Sequence, residues 1–260
     1  MHKATLICFF VITISFSVLT HAEEPIRIVV DAYNPPNMYL HDGRASGLYP
    51  ILLEAIFKHL EQDVSVDAAP WKRAMDMSAQ GTVGIAGIYK TPQRLLIYDY
   101  SDPMYAELLL VFVKKDNTFK FQSVHDLEGK KIGTILGWSY GEEFDTARSQ
   151  NLFKTEAVNR DRLNFKKLMD GRLDCVVASK ESGLHELASS NYSDIIQLKK
   201  PLLNNPVYVA FAQHAKKKDL LIQFNAALKT LKETGEYDRI VEEFMNGVDF
   251  RTFAPAESFE

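Results

Sequence analysis

The feature that most constrains the fold is a repeated alternation between short β-branched runs and segments with helical spacing. Ile26–Asp31 is such a run, and residues 48–60 then carry apolar side chains at the spacing of one helical face. The same order recurs with strands at 64–66 and 83–88, which flank a helix at Trp71–Ala79. Strands that alternate with helices form a mostly parallel sheet covered by helices, so the pattern predicts an α/β fold.

The second half of the chain repeats this organisation after a polar stretch at 114–118. The pattern predicts strands at 131–136, 173–178 and 207–211. It predicts helices at 141–150, 161–169, 181–189 and 237–245, and a long amphipathic helix that begins at Lys218. Between the first strand and the first helix we predict a loop at 33–37, because Pro35 and Pro36 fix the backbone and remove donors.

The amino terminus predicts export. Residues 1–22 have the charged start, apolar run and small-residue end of a signal peptide, and we expect cleavage after Ala22. Of the two cysteines only Cys175 would remain, so the mature chain has no internal disulfide. The net charge of −4 argues against a nucleic-acid partner. No later apolar run approaches bilayer length, so we expect the mature chain not to be embedded in a membrane.

The stretch 86–105 is the strongest candidate for a ligand site. A buried strand is expected to end at Gly87, followed by a polar loop that carries Arg94 and by a second apolar strand. Small ligands bind at the carboxyl ends of strands in α/β sheets, and a guanidinium matches a carboxylate. On this local evidence, a surface arginine beside a simple turn is the alternative.

Several motifs, taken in their order, resemble the periplasmic solute-binding proteins of the polar amino-acid uptake type, bacterial extracellular family 3. They are Tyr33-Asn-Pro-Pro, Gly87-Ile-Tyr-Lys-Thr-Pro-Gln-Arg94, Tyr100-Ser-Asp-Pro103, and residues 124–133, 168–174 and 228–237. The resemblance extends over nearly the whole mature length. It implies a type II periplasmic-binding-protein fold, in which two lobes close on a ligand by hinge motion about two crossing segments.

The resemblance also implies a domain organisation and a function. Lobe 1 would comprise residues 24–108 plus 207–250, lobe 2 residues 109–206, and a tail residues 251–260, with crossings near 107–113 and 205–209. The expected function is periplasmic binding of a small carboxylate-bearing solute, an amino acid or a related acid, for delivery to an inner-membrane ABC permease or a sensor. We expect a monomer that needs no cofactor or metal, since the histidines lack metal-ligand spacing.

The family pattern implies roles for residues of both lobes. Arg94 would pair with the ligand's α-carboxylate, the Gly87 carbonyl would meet the α-amino group, and Tyr33 would form an aromatic cleft wall. In the second lobe the expected ligand contacts are Trp138, Ser139 and Tyr140. For Ser139 helix capping is the alternative, and for Trp71 core packing is favoured over a place in the cleft.

Two further residues that we expect to contact the ligand depart from the family pattern. Tyr89 stands where amino-acid binders usually have Thr, and Ser179 stands where they have the Asp that neutralises the α-ammonium. Losing that carboxylate removes a charge-assisted hydrogen bond of roughly 1.5–3 kcal/mol. We therefore expect a different small carboxylate, an aromatic acid or a modified amino acid. The alternative function is an enzyme similar to the periplasmic cyclohexadienyl dehydratases, with Glu181 as the candidate acid.

Overall fold

The structure is a computed structural model that describes residues 24–190 and 192–247. The predicted signal peptide and the predicted tail, residues 251–260, lie outside the described residues. Within the described ranges no helix is long and apolar enough to cross a bilayer.

The described chain alternates strands and helices. The strands are β1 (Ile26–Asp31), β2 (Tyr33–Asn34), β3 (Met38–His41), β4 (Arg44–Ser46), β5 (Val64–Ala69), β6 (Gly84–Ile88), β7 (Tyr98–Tyr100), β8 (Tyr105–Lys114), β9 (Lys131–Ile135), β10 (Lys154–Val158), β11 (Cys175–Ser179), β12 (Ile195–Gln197) and β13 (Leu203–Ala212). The helices are α1 (Leu48–His59), α2 (Trp71–Ala79), α3 (Pro92–Leu95), α4 (Glu142–Ser149), α5 (Asp161–Met169), α6 (Lys180–Ser190), α7 (Lys218–Glu233) and α8 (Glu236–Gly247).

Ten of the strands belong to one sheet, whose main path runs β10-β9-β11-β8-β13-β6-β1-β5. At one end β1 is parallel to β5 and β6, and at the other end β9 is parallel to β10 and β11. The short strands β7 and β12 pair antiparallel with β13 and β8. The predicted α/β class is confirmed, with two parallel units separated by antiparallel strands.

The two long strands β8 and β13 join these parallel units. They pair antiparallel with each other between Tyr105 and Leu109 on one strand and Leu203 and Val207 on the other. Beyond this shared segment β8 pairs with β11, whereas β13 pairs with β6. Each long strand therefore contributes to both units. The residue bounds of the lobes and crossings stay predictions.

Apolar side chains on both faces of the sheet hold the fold together. On one face, α1 and α7 bury Phe57 and Phe224, whose ring centres are 5.9 Å apart. On the opposite face of the sheet, in the unit that contains β9, β10 and β11, the rings of Phe112 and Phe165 pack with their centres 5.1 Å apart. Cys175 is a fully buried free thiol, and its burial raises its pKa to about 12, as expected of an inert core residue.

Several sequence predictions of local structure are confirmed at their bounds, and others are wrong. Helices α2 and α5 begin and end where predicted. The predicted loop at 33–37 instead begins with β2, which forms a small antiparallel sheet with β3 and β4. The predicted polar loop that carries Arg94 contains α3, because Thr91 caps a turn in which Pro92 is the first residue. The edge strand β10 was not predicted, since its partly exposed residues lack a clear apolar alternation.

Candidate functional site

A small cavity lies where the end of β6 and helix α3 approach the loop between β9 and α4. Its volume is about 10 Å³, and its lining residues are Trp71, Gly87, Tyr89, Arg94, Trp138 and Ser139. Such a volume holds about one water molecule. Five of the eight residues predicted to bind a ligand thus lie together, in an arrangement too tight for an amino acid.

Arg94 is the charged group of this cavity. Its backbone N–H donates to the Thr91 hydroxyl at 3.2 Å, which fixes the helical turn that carries the side chain. Arg94 is 9% exposed, and its guanidinium donates to the carbonyl oxygens of Tyr89 at 3.1 Å and of Gly137 at 3.0 Å. Burial lowers the pKa of Arg94 from its usual value, but an arginine stays charged in proteins.

The partners of Arg94 leave its charge without a close counter-ion. Both of its side-chain hydrogen bonds go to neutral carbonyl groups, and the ion pairs among the described residues do not include it. A buried cation that has no ion-pair partner is costly even when it is hydrogen-bonded, and a carboxylate that reached it would offset that cost.

Gly87 is required by the backbone as well as by packing. Its φ is +80°, a conformation that side chains with a Cβ rarely adopt. A Cβ at this position would lie 2.7 Å from the Cε atom of Met38. The glycine therefore has a structural explanation independent of any contact between its carbonyl and a ligand.

Trp138 ties the second unit to the end of β1. Its Nε1–H donates to Asp31 Oδ2 at 3.3 Å, while the Tyr33 N–H donates to Asp31 Oδ1 at 3.1 Å. Burial raises the pKa of Asp31 to about 7, although these donors favour the ionised form. Trp71 is buried, as predicted, and it also lines the cavity and donates its Nε1–H to the Gly137 carbonyl at 3.2 Å.

Tyr89 connects the cavity to a buried carboxyl group that sequence reasoning did not identify. The Tyr89 hydroxyl donates to Glu107, which also accepts from the Tyr49 hydroxyl at 2.5 Å and from Asn37 Nδ2 at 3.2 Å. Burial raises the pKa of Glu107 to about 7, and nearby Glu181 adds to this effect. The available signal was the single acidic residue inside the apolar run of β8.

Glu181, the candidate acid of the enzyme alternative, belongs to the same surroundings. Burial raises its pKa, whereas a hydrogen bond with the Asn37 side chain lowers it. Its Oε2 atom is buried and has no hydrogen-bond partner in the described part of the chain.

Three of the predicted ligand contacts lie outside the cavity lining. The Tyr33 ring stacks on Arg160, whose guanidinium carbon is 4.1 Å from the ring centre. The Tyr140 hydroxyl accepts from the Ile135 N–H at 2.7 Å, inside the core. Ser179 is fully buried at the end of β11, and its hydroxyl accepts from the Ser182 N–H at 3.3 Å at the start of α6.

The loop before α4 uses its polar groups internally. The Ser139 hydroxyl donates to Asp145 and accepts from the Gly141 N–H at 3.3 Å, and the Tyr140 N–H donates to Asp145 at 3.3 Å. These bonds agree with the capping alternative for Ser139. A ligand contact by Ser139 stays a prediction.

Comparison with known proteins gives one family and many similar folds. Residues 26–247 match the family model of bacterial extracellular solute-binding proteins, family 3. An arginine-binding periplasmic protein of Mannheimia haemolytica is 26% identical over 237 residues, which cover 88% of this chain and 94% of that protein. The solved structure of an ancestral arginine-binding protein bound to arginine has a TM-score of 0.75 and 25% identity, covering 86% of this chain and 99% of the other.

A further solved structure bears on the enzyme alternative through its fold alone. It is an ancestral amino-acid-binding protein described as a precursor of cyclohexadienyl dehydratase, with a TM-score of 0.69 and 24% identity. The alignment covers 85% of this chain and 95% of that chain.

Proposed function

The chain belongs to the bacterial extracellular solute-binding proteins of family 3 and has the two-lobed type II fold of periplasmic binding proteins. From this premise we propose that it binds a small carboxylate-bearing solute, an amino acid or a related acid, between its lobes. Arg94 is the residue that receives the carboxylate. The naming of arginine as the ligand of two of its relatives makes L-arginine a natural first test compound.

The observation that carries this proposal is the charge state of the cavity. Arg94 presents a buried guanidinium whose two side-chain acceptors are neutral carbonyl groups. A ligand carboxylate would supply the missing counter-charge in the fork geometry that a guanidinium favours. The surrounding rings of Trp71, Tyr89 and Trp138 would exclude water and strengthen that pair.

The tightness of the cavity argues that binding includes an opening step. Contacts that would separate are Arg94 to the Gly137 carbonyl, Trp71 to the same carbonyl, and Trp138 to Asp31. The long strands β8 and β13 are the connections that we expect to bend, because each of them joins both parallel units. Closure would then be driven by contacts that the ligand makes with both lobes.

We also propose where the mature chain acts and with which partners. A signal peptide cleaved after Ala22 would deliver the mature chain to the periplasm. There it would act as a monomer and pass its solute to an inner-membrane ABC permease or report it to a sensor.

The experiment is native mass spectrometry of the purified protein, followed by thermal unfolding with a panel of acids. The panel contains the common L-amino acids, their 2-hydroxy analogues and small aromatic acids. A compound present at one hundred times its Kd stabilises the fold by about 2.7 kcal/mol, or roughly 5–10 °C in a chain of this size. We expect a shift of this size from at least one carboxylate. If no acid of the panel shifts the midpoint, or if the solute found by mass spectrometry has no carboxylate, the proposal is wrong.

One observation favours the enzyme alternative enough to test it. Glu107 and Glu181 are buried carboxyl groups with raised pKa values beside the cavity, as a general acid would require. Incubation with prephenate and with arogenate, followed by chromatography for aromatic products, tests a dehydratase-like activity. Product formation that exceeds the rate without protein, and that is lost in Glu181→Gln, would favour the enzyme over the passive binder.

A further inference from the structure

We propose that Glu107 and Glu181 form a cation site for an amine group of the ligand, and that the Tyr89 hydroxyl, which donates to Glu107, occupies the place of that amine in the described arrangement. The proposal rests on the function proposed above, because the same ligand would place its carboxylate on Arg94. It narrows the ligand class to carboxylic acids that carry a protonated amine.

The position of Tyr89 is the first observation. Its carbonyl oxygen accepts from Arg94, and its hydroxyl donates to Glu107. One residue therefore spans from a buried cation to a buried carboxyl group, with its ring against Trp138 at 6.4 Å between ring centres. If the Tyr89 side chain moved aside, the cavity and the carboxyl pair would become one continuous site.

Unsatisfied acceptors beside Glu107 are the second, independent observation. Asn37 is fully buried, and its amide N–H donates to Glu107 while its Oδ1 atom has no hydrogen-bond partner in the described chain. The Oε2 atom of Glu181 is likewise buried and unpartnered within the described residues. The donors at this place are two tyrosine hydroxyls and one amide, so acceptors are in excess. An ammonium brings three donors and a positive charge, and both are what this cluster lacks.

The proposed cation site would take over the role of the aspartate that the family pattern has at the position of Ser179. Ser179 offers no charge, and its hydroxyl is already bonded at the start of α6. Glu107 lies on β8, the strand paired with β11, so its carboxyl group approaches Tyr89 from a different strand than the family's aspartate would. The amine would consequently sit beside Tyr49 and Tyr89 rather than at Ser179.

The test uses pairs of acids that differ only in an amine or a hydroxyl group. The pairs are L-phenylalanine with L-phenyllactate, L-lysine with 6-hydroxynorleucine, 4-aminobutyrate with 4-hydroxybutyrate, and 5-aminovalerate with 5-hydroxyvalerate. Affinities are measured by isothermal titration with the wild type, with Glu107→Gln and with Glu186→Gln. The last variant is the matched control, because Glu186 is also a buried carboxyl group but accepts none of the described hydrogen bonds of Asn37, Tyr49 and Tyr89.

We expect the amine member of at least one pair to bind about tenfold to a hundredfold more tightly than its hydroxyl partner. Glu107→Gln should abolish most of that preference, and Glu186→Gln should keep it. If hydroxyl acids bind as tightly as their amines, the cation site is wrong while the carboxylate site at Arg94 stands. If no acid binds, the cation site and the proposed function both fail.

A second variant keeps the test decisive if Glu107→Gln does not fold. Tyr89→Phe removes the hydroxyl that donates to Glu107 and leaves the ring in place. Without this hydroxyl, no tyrosine donor at position 89 competes with the ligand's amine for Glu107. The amine-bearing acid of a pair should therefore bind severalfold more tightly to Tyr89→Phe than to the wild type. A merely structural Tyr89 hydroxyl would give unchanged or weaker binding, and that result would overturn the proposal.

Discussion

The raised pKa of Glu107 makes a quantitative prediction about stability and pH. Burial raises this pKa from 4.5 to about 7 in the folded chain. Between these values the folded state holds a proton that the unfolded state has released. Stability should therefore be highest near pH 4.5, as far as this group is concerned, and should fall as the pH rises to 7. Above pH 7 the contribution no longer changes.

The size of the effect follows from the shift. One pKa unit corresponds to about 1.36 kcal/mol, so a change from 4.5 to about 7 corresponds to roughly 3 kcal/mol at most. Replacing Glu107 by Gln removes the titration. The amide retains an acceptor for Asn37 and Tyr49 and an N–H that the Tyr89 oxygen can accept. The variant should thus gain up to about 3 kcal/mol on the wild type between pH 5 and pH 8.

Urea unfolding followed by tryptophan fluorescence measures this difference directly. Wild type and Glu107→Gln are unfolded at half-unit pH intervals from 5 to 8, after refolding from denaturant to remove bound solutes. Glu54→Gln, on the exposed surface of α1, is the control. Its free energy of unfolding should change with pH in parallel with that of the wild type. If the free energy of unfolding of Glu107→Gln changes with pH in parallel with that of the wild type, Glu107 does not titrate as a buried carboxyl group with a raised pKa.

Three further substitutions and one surface control test the packing of the site and of the core by urea unfolding at neutral pH. Trp138→Phe removes the Nε1–H that donates to buried Asp31 and should cost about 1–3 kcal/mol; an unchanged stability would show that this bond contributes nothing. Gly87→Ala places a Cβ at a φ of +80° and should cost at least about 1 kcal/mol, and a stabilised variant would contradict that backbone geometry. Phe224→Ala should cost about 3–5 kcal/mol, whereas Leu96→Ser, at an 81% exposed position, should change stability by less than about 0.5 kcal/mol. Equal losses at these two positions would be inconsistent with the described core.

Local sequence signals predicted most of the framework correctly. The apolar spacing of residues 48–60 gave α1 to within one residue, and the β-branched run Ile26–Asp31 is β1 at its predicted bounds. The family resemblance, which came from the order of several weak motifs, is confirmed by the match over residues 26–247. Short elements were missed where tertiary pairing decides them, as for β2, which has only two residues.

The site was predicted less completely, because side-chain neighbours depend on the packing of distant segments. Gly87, Tyr89 and Arg94 lie on one stretch of sequence and were identified together. Glu107 belongs to a long apolar strand, and its partner Asn37 is 70 positions away in the chain. No local pattern relates such residues, so only the fold reveals that they meet.

The central claim is that Arg94 receives the carboxylate of a ligand, and one measurement tests it most directly. The tightest-binding acid of the panel is titrated by calorimetry into the wild type, Arg94→Lys and Arg160→Lys. Arg160 is the matched control, since it is an arginine outside the cavity lining that stacks on Tyr33. We predict that Arg94→Lys weakens binding about tenfold to a hundredfold, because a lysine cannot reproduce the planar fork of donors, and that Arg160→Lys changes it by less than about threefold. Equal affinities in the wild type and Arg94→Lys would contradict the account.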